Sequence, residues 1–180
     1  LMAANNEAII TQTSVAATEG NLAEVSQTGD INLAAVEQNG GLNNSSVAQD
    51  GVWLEAYNFV AGNDNQLRTE QLADWHIAYV DIAGNENTAT VTQDGFYNLA
   101  ELLVTGDTND IAVTQAGEVS EAYVNLAGMN NSVEIEQQGN ANWANAGFSG
   151  NDNELFSVQS GDNNEAGMFN LSGDRNTFES

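Results

Sequence analysis

From Asn21 to Ser172 the chain repeats one skeleton every eleven residues. Asn stands at slot one, apolar or small residues at slots three and five, Gln at slot seven and Gly at slot nine. Asn87–Gln93–Gly95 is answered by Asn98–Val104–Gly106, with only slot seven turned apolar. Slot nine reads Gly29, Gly40, Gly51, Gly62, Gly84, Gly95, Gly106, Gly117, Gly128, Gly139, Gly150 and Gly161, departing at Ala73 and Ser172. No other feature restricts the fold as strongly. A unit this short cannot bury its own apolar face and must stack on its copies.

Alternate units fall into two classes. In class A, slot one is Asn21, Asn43, Asn65, Asn87, Asn109, Asn131 and Asn153, and slot seven is Gln27, Gln49, Gln71, Gln93, Gln115, Gln137 and Gln159. Both columns are complete. In class B, slot three is Ala34, Ala56, Ala78, Ala100, Ala122, Ala144 and Ala166, whereas slot seven reads Gln38, Val60, Ile82, Val104, Leu126, Phe148 and Asn170. The true repeat is 22 residues, one A unit and one B unit, present seven times.

Within a unit the distinctive residues occupy odd slots. That period of two marks a strand with one buried face, and no helical spacing fits the register. Gly at slot nine suits a corner that needs positive φ or close backbone approach, with corner glycines Gly29, Gly51, Gly95, Gly117, Gly139 and Gly161 closing class A units. The expected fold is all-β: a two-sheet β-solenoid of about seven 22-residue strand–turn–strand coils, able to stack into cross-β fibrils. Coils about 4.8 Å apart would make a stack roughly 34 Å tall. Val25, Val36, Val47, Val80, Val91, Leu102, Val113, Val124 and Ile135 would line a thin core. Asn over Asn and Gln over Gln would satisfy amides that cost about 1–3 kcal/mol each if buried unpaired.

Composition removes whole classes of function. The chain has 26 acidic residues against Arg68 and Arg175, a formal net charge of −24 and no Cys. Phosphate-directed nucleic-acid binding lacks the cations it needs. Disulfides and thiolate metal sites are excluded by composition. No apolar run approaches the length of a membrane span, so no membrane insertion is expected, and any export signal would already have been removed. No cofactor or metal is expected: the acidic corner with Asn63, Asp64, Asn85, Glu86, Asp107, Asn151 and Asp152 has irregular columns and reads as a solvated edge that keeps monomers soluble. His76, the one His, sits in slot one of a B unit and reads as a substitute for a ladder Asn. An enzyme is not expected.

The pattern Asn-x5-Gln-x-Gly-x2-Asn-x-Ala, as in Asn87, Gln93, Gly95, Asn98 and Ala100, resembles the repeat of the curlins, subunits of bacterial curli amyloid fibres. The resemblance spans residues 21–175. The chain departs from it where the second Gln turns aliphatic, where class B slot one holds Leu54, His76 and Ser120, and in its acidity. The resemblance implies a secreted, extracellular, cell-surface fibre serving biofilm matrix and adhesion. It implies as partners the chain itself, a nucleator subunit and an outer-membrane secretion pore.

Three segments follow: residues 1–20 with one B-type strand over 6–12 and an out-of-register loop, the solenoid over 21–175, and a partial A-type strand over 176–180. Pairing of one copy's C-terminal edge with the next copy's N-terminal edge would build a fibre head to tail. Outward positions of class B include Tyr57, Tyr79, Tyr123, Trp143 and Phe169, a surface expected to pack filaments laterally. The alternative reading is a monomeric β-solenoid binding module of adhesin or ice-binding type.

Overall fold

A computed structural model of the chain describes residues 5–14 and 20–179, the side chains of 167–171 excepted. Sixteen strands follow one another among the described residues. The odd-numbered ones are β1 (Glu7–Thr13), β3 (Leu33–Asn39), β5 (Glu55–Ala61), β7 (Ile77–Ala83), β9 (Leu99–Thr105), β11 (Glu121–Ala127), β13 (Trp143–Ser149) and β15 (Glu165–Ser172). The even-numbered ones are β2 (Leu22–Asp30), β4 (Asn44–Val52), β6 (Gln66–Asp74), β8 (Thr88–Phe96), β10 (Asp110–Glu118), β12 (Ser132–Asn140), β14 (Glu154–Ser160) and β16 (Thr177–Glu179). Odd strands form one eight-stranded parallel sheet in the order β1 to β15, and even strands form the other. Class A units make the even sheet and class B units the odd one. The all-β two-sheet solenoid expected from the repeat is the observed fold.

Register follows the slots. Gln93 pairs at Cα with Gln71 on one side and Gln115 on the other, and Gly95 with Gly117. The strands differ in length, however. From β2 to β12 the even strands run nine residues and continue through slot nine, glycine in all but β6, whereas odd strands such as β9 stop after seven. The corner expected at the slot-nine glycine comes two residues later in the even sheet. There the ladder includes slots nine and ten, and the chain turns only at slot eleven.

That turning residue was not foreseen. Slot eleven is left-handed at every described corner, and it is never glycine: φ is 57° at Ile31, 62° at Trp53, 64° at Trp75 and 58° at Val119. A left-handed residue with a Cβ costs about 1–2 kcal/mol, so these corners persist because stacking on both sides holds them. At Asp64, Asn130, Asp152 and Asn163 the residue type itself eases the strain. Slot nine is glycine chiefly because of close approach. A Cβ on Gly95, itself at φ 110°, would run into the Gly117 carbonyl.

The core lies between the sheets, with Val80, Val91, Leu102, Val113, Val124 and Ile135 almost fully buried and Val25 partly so. A polar crossing interrupts it. Asn58, buried in β5, donates to Ser45 Oγ of β4 at 3.0 Å and accepts from Thr69 Oγ1 of β6 at 2.8 Å. Apolar packing accordingly divides there into two clusters. The seventh coil also departs from the repeat. Phe148 pairs with Leu171 instead of Asn170, and Gly173 takes the left-handed corner position at φ 114° in place of Ser172. The strict register read as far as Ser172 therefore fails inside β15, where one extra residue is accommodated. The Phe169 side chain lies outside the described residues.

Candidate functional site

The residues the repeat singled out assemble into columns along the stack. Asn109 donates from its backbone N–H and from Nδ2 to Asn87 Oδ1, both at 3.0 Å, and Asn87 does the same to Asn65. Each of these asparagines also donates from Nδ2 to the carbonyl of a corner glycine one coil on, as Asn87 does to Gly106 at 2.8 Å. The column runs through Asn43, Asn65, Asn87, Asn109, Asn131 and Asn153, all buried, from a half-buried Asn21. Asn176, one residue beyond the expected spacing, extends it by donating to Asn153 Oδ1.

The glutamines form a second column beside it. Nε2 of Gln27 reaches Gln49 Oε1 at 2.8 Å, and the chain continues through Gln71, Gln93, Gln115 and Gln137 to Gln159. The same Nε2 also donates across the corner to the odd sheet, as from Gln93 to the Ile77 carbonyl at 3.0 Å. The glutamines thus tie coil to coil and sheet to sheet at once. Strand geometry explains this: slot seven points inward next to the corner, where the odd strand's first carbonyl is within reach.

The odd sheet has the Asn column only in part. His76 is buried and takes over two of an Asn's bonds, leaving out the donation to a slot-nine carbonyl one coil on. Its Nδ1 accepts from the Asn98 backbone N–H at 3.2 Å, and Nε2–H donates to the Leu72 carbonyl at 2.7 Å, as Asn98 Nδ2 does to Asp94. This pattern requires the neutral ring with its proton on Nε2. Burial pushes the imidazole below the ordinary histidine range, against the opposing pull of the Leu72 carbonyl, Asp94 and Asp74. Leu54 keeps only the backbone bond, its N–H donating to Asn32 Oδ1. At Ser120 the hydroxyl is the buried side-chain polar atom left without a partner among the described residues.

The two kinds of corner are chemically opposite. Between an even strand and the next odd one, slot eleven exposes Ile31, Trp53, Trp75, Tyr97 and Val119 as a ridge. Trp53 and Trp75 stack with ring centroids 5.1 Å apart and planes 6° from parallel, and Tyr97 follows at 5.3 Å. The sequence signal for this ridge is three aromatic residues at a spacing of 22, outside the alternating strand slots. At the other corner, Asn63 donates to Asn85 Oδ1 and Asn85 to Asp107 Oδ1, an external rung pattern in the acidic edge. Among the described residues no group of three or more His, Cys, Asp or Glu is placed to hold a metal ion.

Tyr57, Tyr79, Tyr123 and Trp143 all stand half-buried on the outer face of the odd sheet. Tyr57 and Tyr79 are neighbours, with ring centroids 6.3 Å apart, and Phe59 packs against Tyr79 at 5.5 Å. Tyr123 lies two coils beyond Tyr79, and Trp143 a further coil on, pairing at Cα with Glu121, so the four do not form one cluster. Tyr57 donates to Glu55 at 3.1 Å and Tyr123 to Glu121 at 3.2 Å. Burial, then the Glu55 hydrogen bond and charge, raise the Tyr57 phenol above its usual value.

A sequence-family profile described as the curlin associated repeat matches residues 18–51, 62–95, 84–117 and 128–156, together more than half of the chain. The stretches it leaves between, 52–61 and 118–127, hold the odd strands entered through Leu54 and Ser120. Comparison with curated proteins and with solved structures returned no match. With the repeat, the parallel two-sheet coil and the matched segments in agreement, the chain belongs to the curlin-associated-repeat family.

Proposed function

We propose that the chain is the structural subunit of an extracellular, curli-like fibre that grows by stacking copies head to tail, in the service of biofilm matrix and surface adhesion. The observation that supports this reading is the open-ended column. In the even sheet the Asn and Gln ladders each repeat one bond from coil to coil. β1 and β2 stand at one face of the described stack and β15 and β16 at the other. On β1 the whole strand is exposed, Ile9 and Ile10 by nearly half. A second copy stacked there continues both sheets and covers that strand.

A nucleator subunit, an outer-membrane pore and a secreted location accompany this proposal through the family. Lateral contacts between filaments are assigned to the outer face of the odd sheet around Tyr57, Tyr79, Tyr123 and Trp143. The net charge of −24 opposes stacking across coils that sit closer than the roughly 8 Å screening length of physiological salt, so assembly should speed up as salt rises. The second reading, a soluble binding solenoid, draws on the exposed Trp53–Trp75–Tyr97 ridge.

Electron microscopy of the purified chain after quiet incubation at low and high salt, with fibre diffraction of the product, tests the choice. Unbranched fibres with an axial reflection near about 4.8 Å are expected. A folded β monomer under every condition would transfer the assignment to the binding solenoid. Tyr79→Ser with Tyr123→Ser should leave single filaments and reduce bundling; unchanged bundles would remove the lateral role.

A further inference from the structure

The seventh coil breaks a spacing that the coils before it keep. β15 has eight residues where its neighbour β13 has seven. Pairing runs Trp143 with Glu165 and Ala144 with Ala166, then resumes at Ala146 with Phe169 and continues to Ser149 with Ser172. Gly167 and Met168 therefore stand opposite Asn145 alone, a β-bulge. The displacement persists past the strand. Met129 N–H donates to Asn151 across 22 residues, but Asn151 N–H donates to Asp174 across 23. The Asn ladder shows the same step, 22 from Asn131 to Asn153 and 23 from Asn153 to Asn176. At the opposite face β1 is regular, all seven of its residues pairing with β3.

We propose that this extra residue is a brake on self-association: it makes β15 a poor template for the β1 strand of a second copy. The inference rests on the fibre reading above. Where described stacks join head to tail, β15 of one copy meets β1 of the next. A straight β1 matches Glu165 and Ala166, or the run from Phe169 to Ser172, but not both in one register. The joint either forfeits part of its ladder or makes β1 bulge in turn. Bulges bend a strand and increase its twist, and β-proteins use them on edges to discourage pairing with other chains. The dispersed acidic charge cannot serve this role alone, since it is spread along the stack and screened by salt. The bulge acts by shape, at one strand, at any ionic strength. The remainder of coil 7 is in order. With one residue removed, Leu171, Gly173 and Asn176 fall into slots seven, nine and one.

The test is seeded elongation of the chain beside a variant in which Gly167 is deleted, each on its own sonicated fibres at high salt, after far-UV circular dichroism has compared the monomers. The deletion is expected to elongate faster by about fivefold or more, the factor that one net hydrogen bond represents. A folded deletion variant that elongates no faster overturns the brake. A second measurement needs no variant: hydrogen exchange in wild-type fibres. Amides of Gly167–Phe169 should exchange while those of β9 and β11 stay protected, and full protection at all three would overturn the proposal even if the deletion variant failed to fold. Fibres from both chains at one rate remove the brake alone. Fibres from neither remove the fibre reading and the brake together.

Discussion

The two sheets share one eleven-residue skeleton yet hold their coils together differently. In the even sheet both amide columns are unbroken from Asn43 to Asn153 and from Gln27 to Gln159. In the odd sheet slot one is interrupted by Leu54, His76 and Ser120, and slot seven turns apolar after Gln38 and stays so through Phe148. The patterns of failure are instructive. A glutamine in slot seven needs its like above or below, because a buried amide facing Ile82 or Leu126 finds no ladder partner. That column therefore changes character once and as a block. Slot one tolerates single breaks because each asparagine Oδ1 accepts from the backbone N–H one coil on, which Leu54 and Ser120 supply as well as an Asn would.

The largest effect should come from breaking the unbroken column. Asn87→Leu removes two donors and the acceptor for both Asn109 bonds, and should cost about 3–5 kcal/mol in chemical denaturation. Asn98→Leu, in a column that already contains Leu54, should cost roughly half as much. Equal losses would erase the distinction between the sheets. Next comes the converse change. Val104→Gln buries an amide between Ile82 and Leu126 and should destabilise by about 2–3 kcal/mol. Val60→Gln, with Gln38 one coil away, should cost about 1 kcal/mol less, since one ladder bond can form.

A smaller effect depends on pH. The neutral His76 ring is the form the ladder uses, and burial holds its titration below the ordinary value. Its contribution is complete above about pH 6.5 and is lost as pH falls below that point, because the unfolded chain then binds the proton that the folded one refuses. The denaturation midpoint of the wild type should fall more than that of His76→Asn between about pH 7 and pH 5. Parallel curves would mean that the imidazole can be protonated without disturbing Asn98. The smallest effect is a gain. Ser120→Asn replaces an unpartnered hydroxyl with a ladder amide between Asn98 and Asn142 and should stabilise by about 1 kcal/mol.

The strand, sheet and ladder assignments were legible because they repeat. Asn87, Gln93 and Ala100 each stand for a whole column, and a column of identical residues states its own neighbours. What repetition does not encode was missed. Left-handed slot eleven holds Ile, Leu, Trp, Asp, Glu, Thr and Val without preference, since stacking and not residue type imposes its conformation. Asn58, Ser45 and Thr69 are single exceptions in apolar columns, and only the fold shows that the three meet. In coil 7, Gly173 and Asn176 stand one place late in the sequence, the mark of an inserted residue and not of Ser172 replacing a glycine. The aromatic ridge went unseen because slot eleven looked like turn.

The orientation of the ladders also has a mechanical meaning. Strands lie across the stack, so backbone and side-chain hydrogen bonds point along its axis. Tension along that axis is shared at one coil boundary by nine paired positions in the even sheet and seven in the odd, with the Asn and Gln rungs beside them. They must yield together rather than one after another, as they would if the strands were peeled sideways. The stack therefore resists being pulled apart lengthwise more than being unzipped from one side.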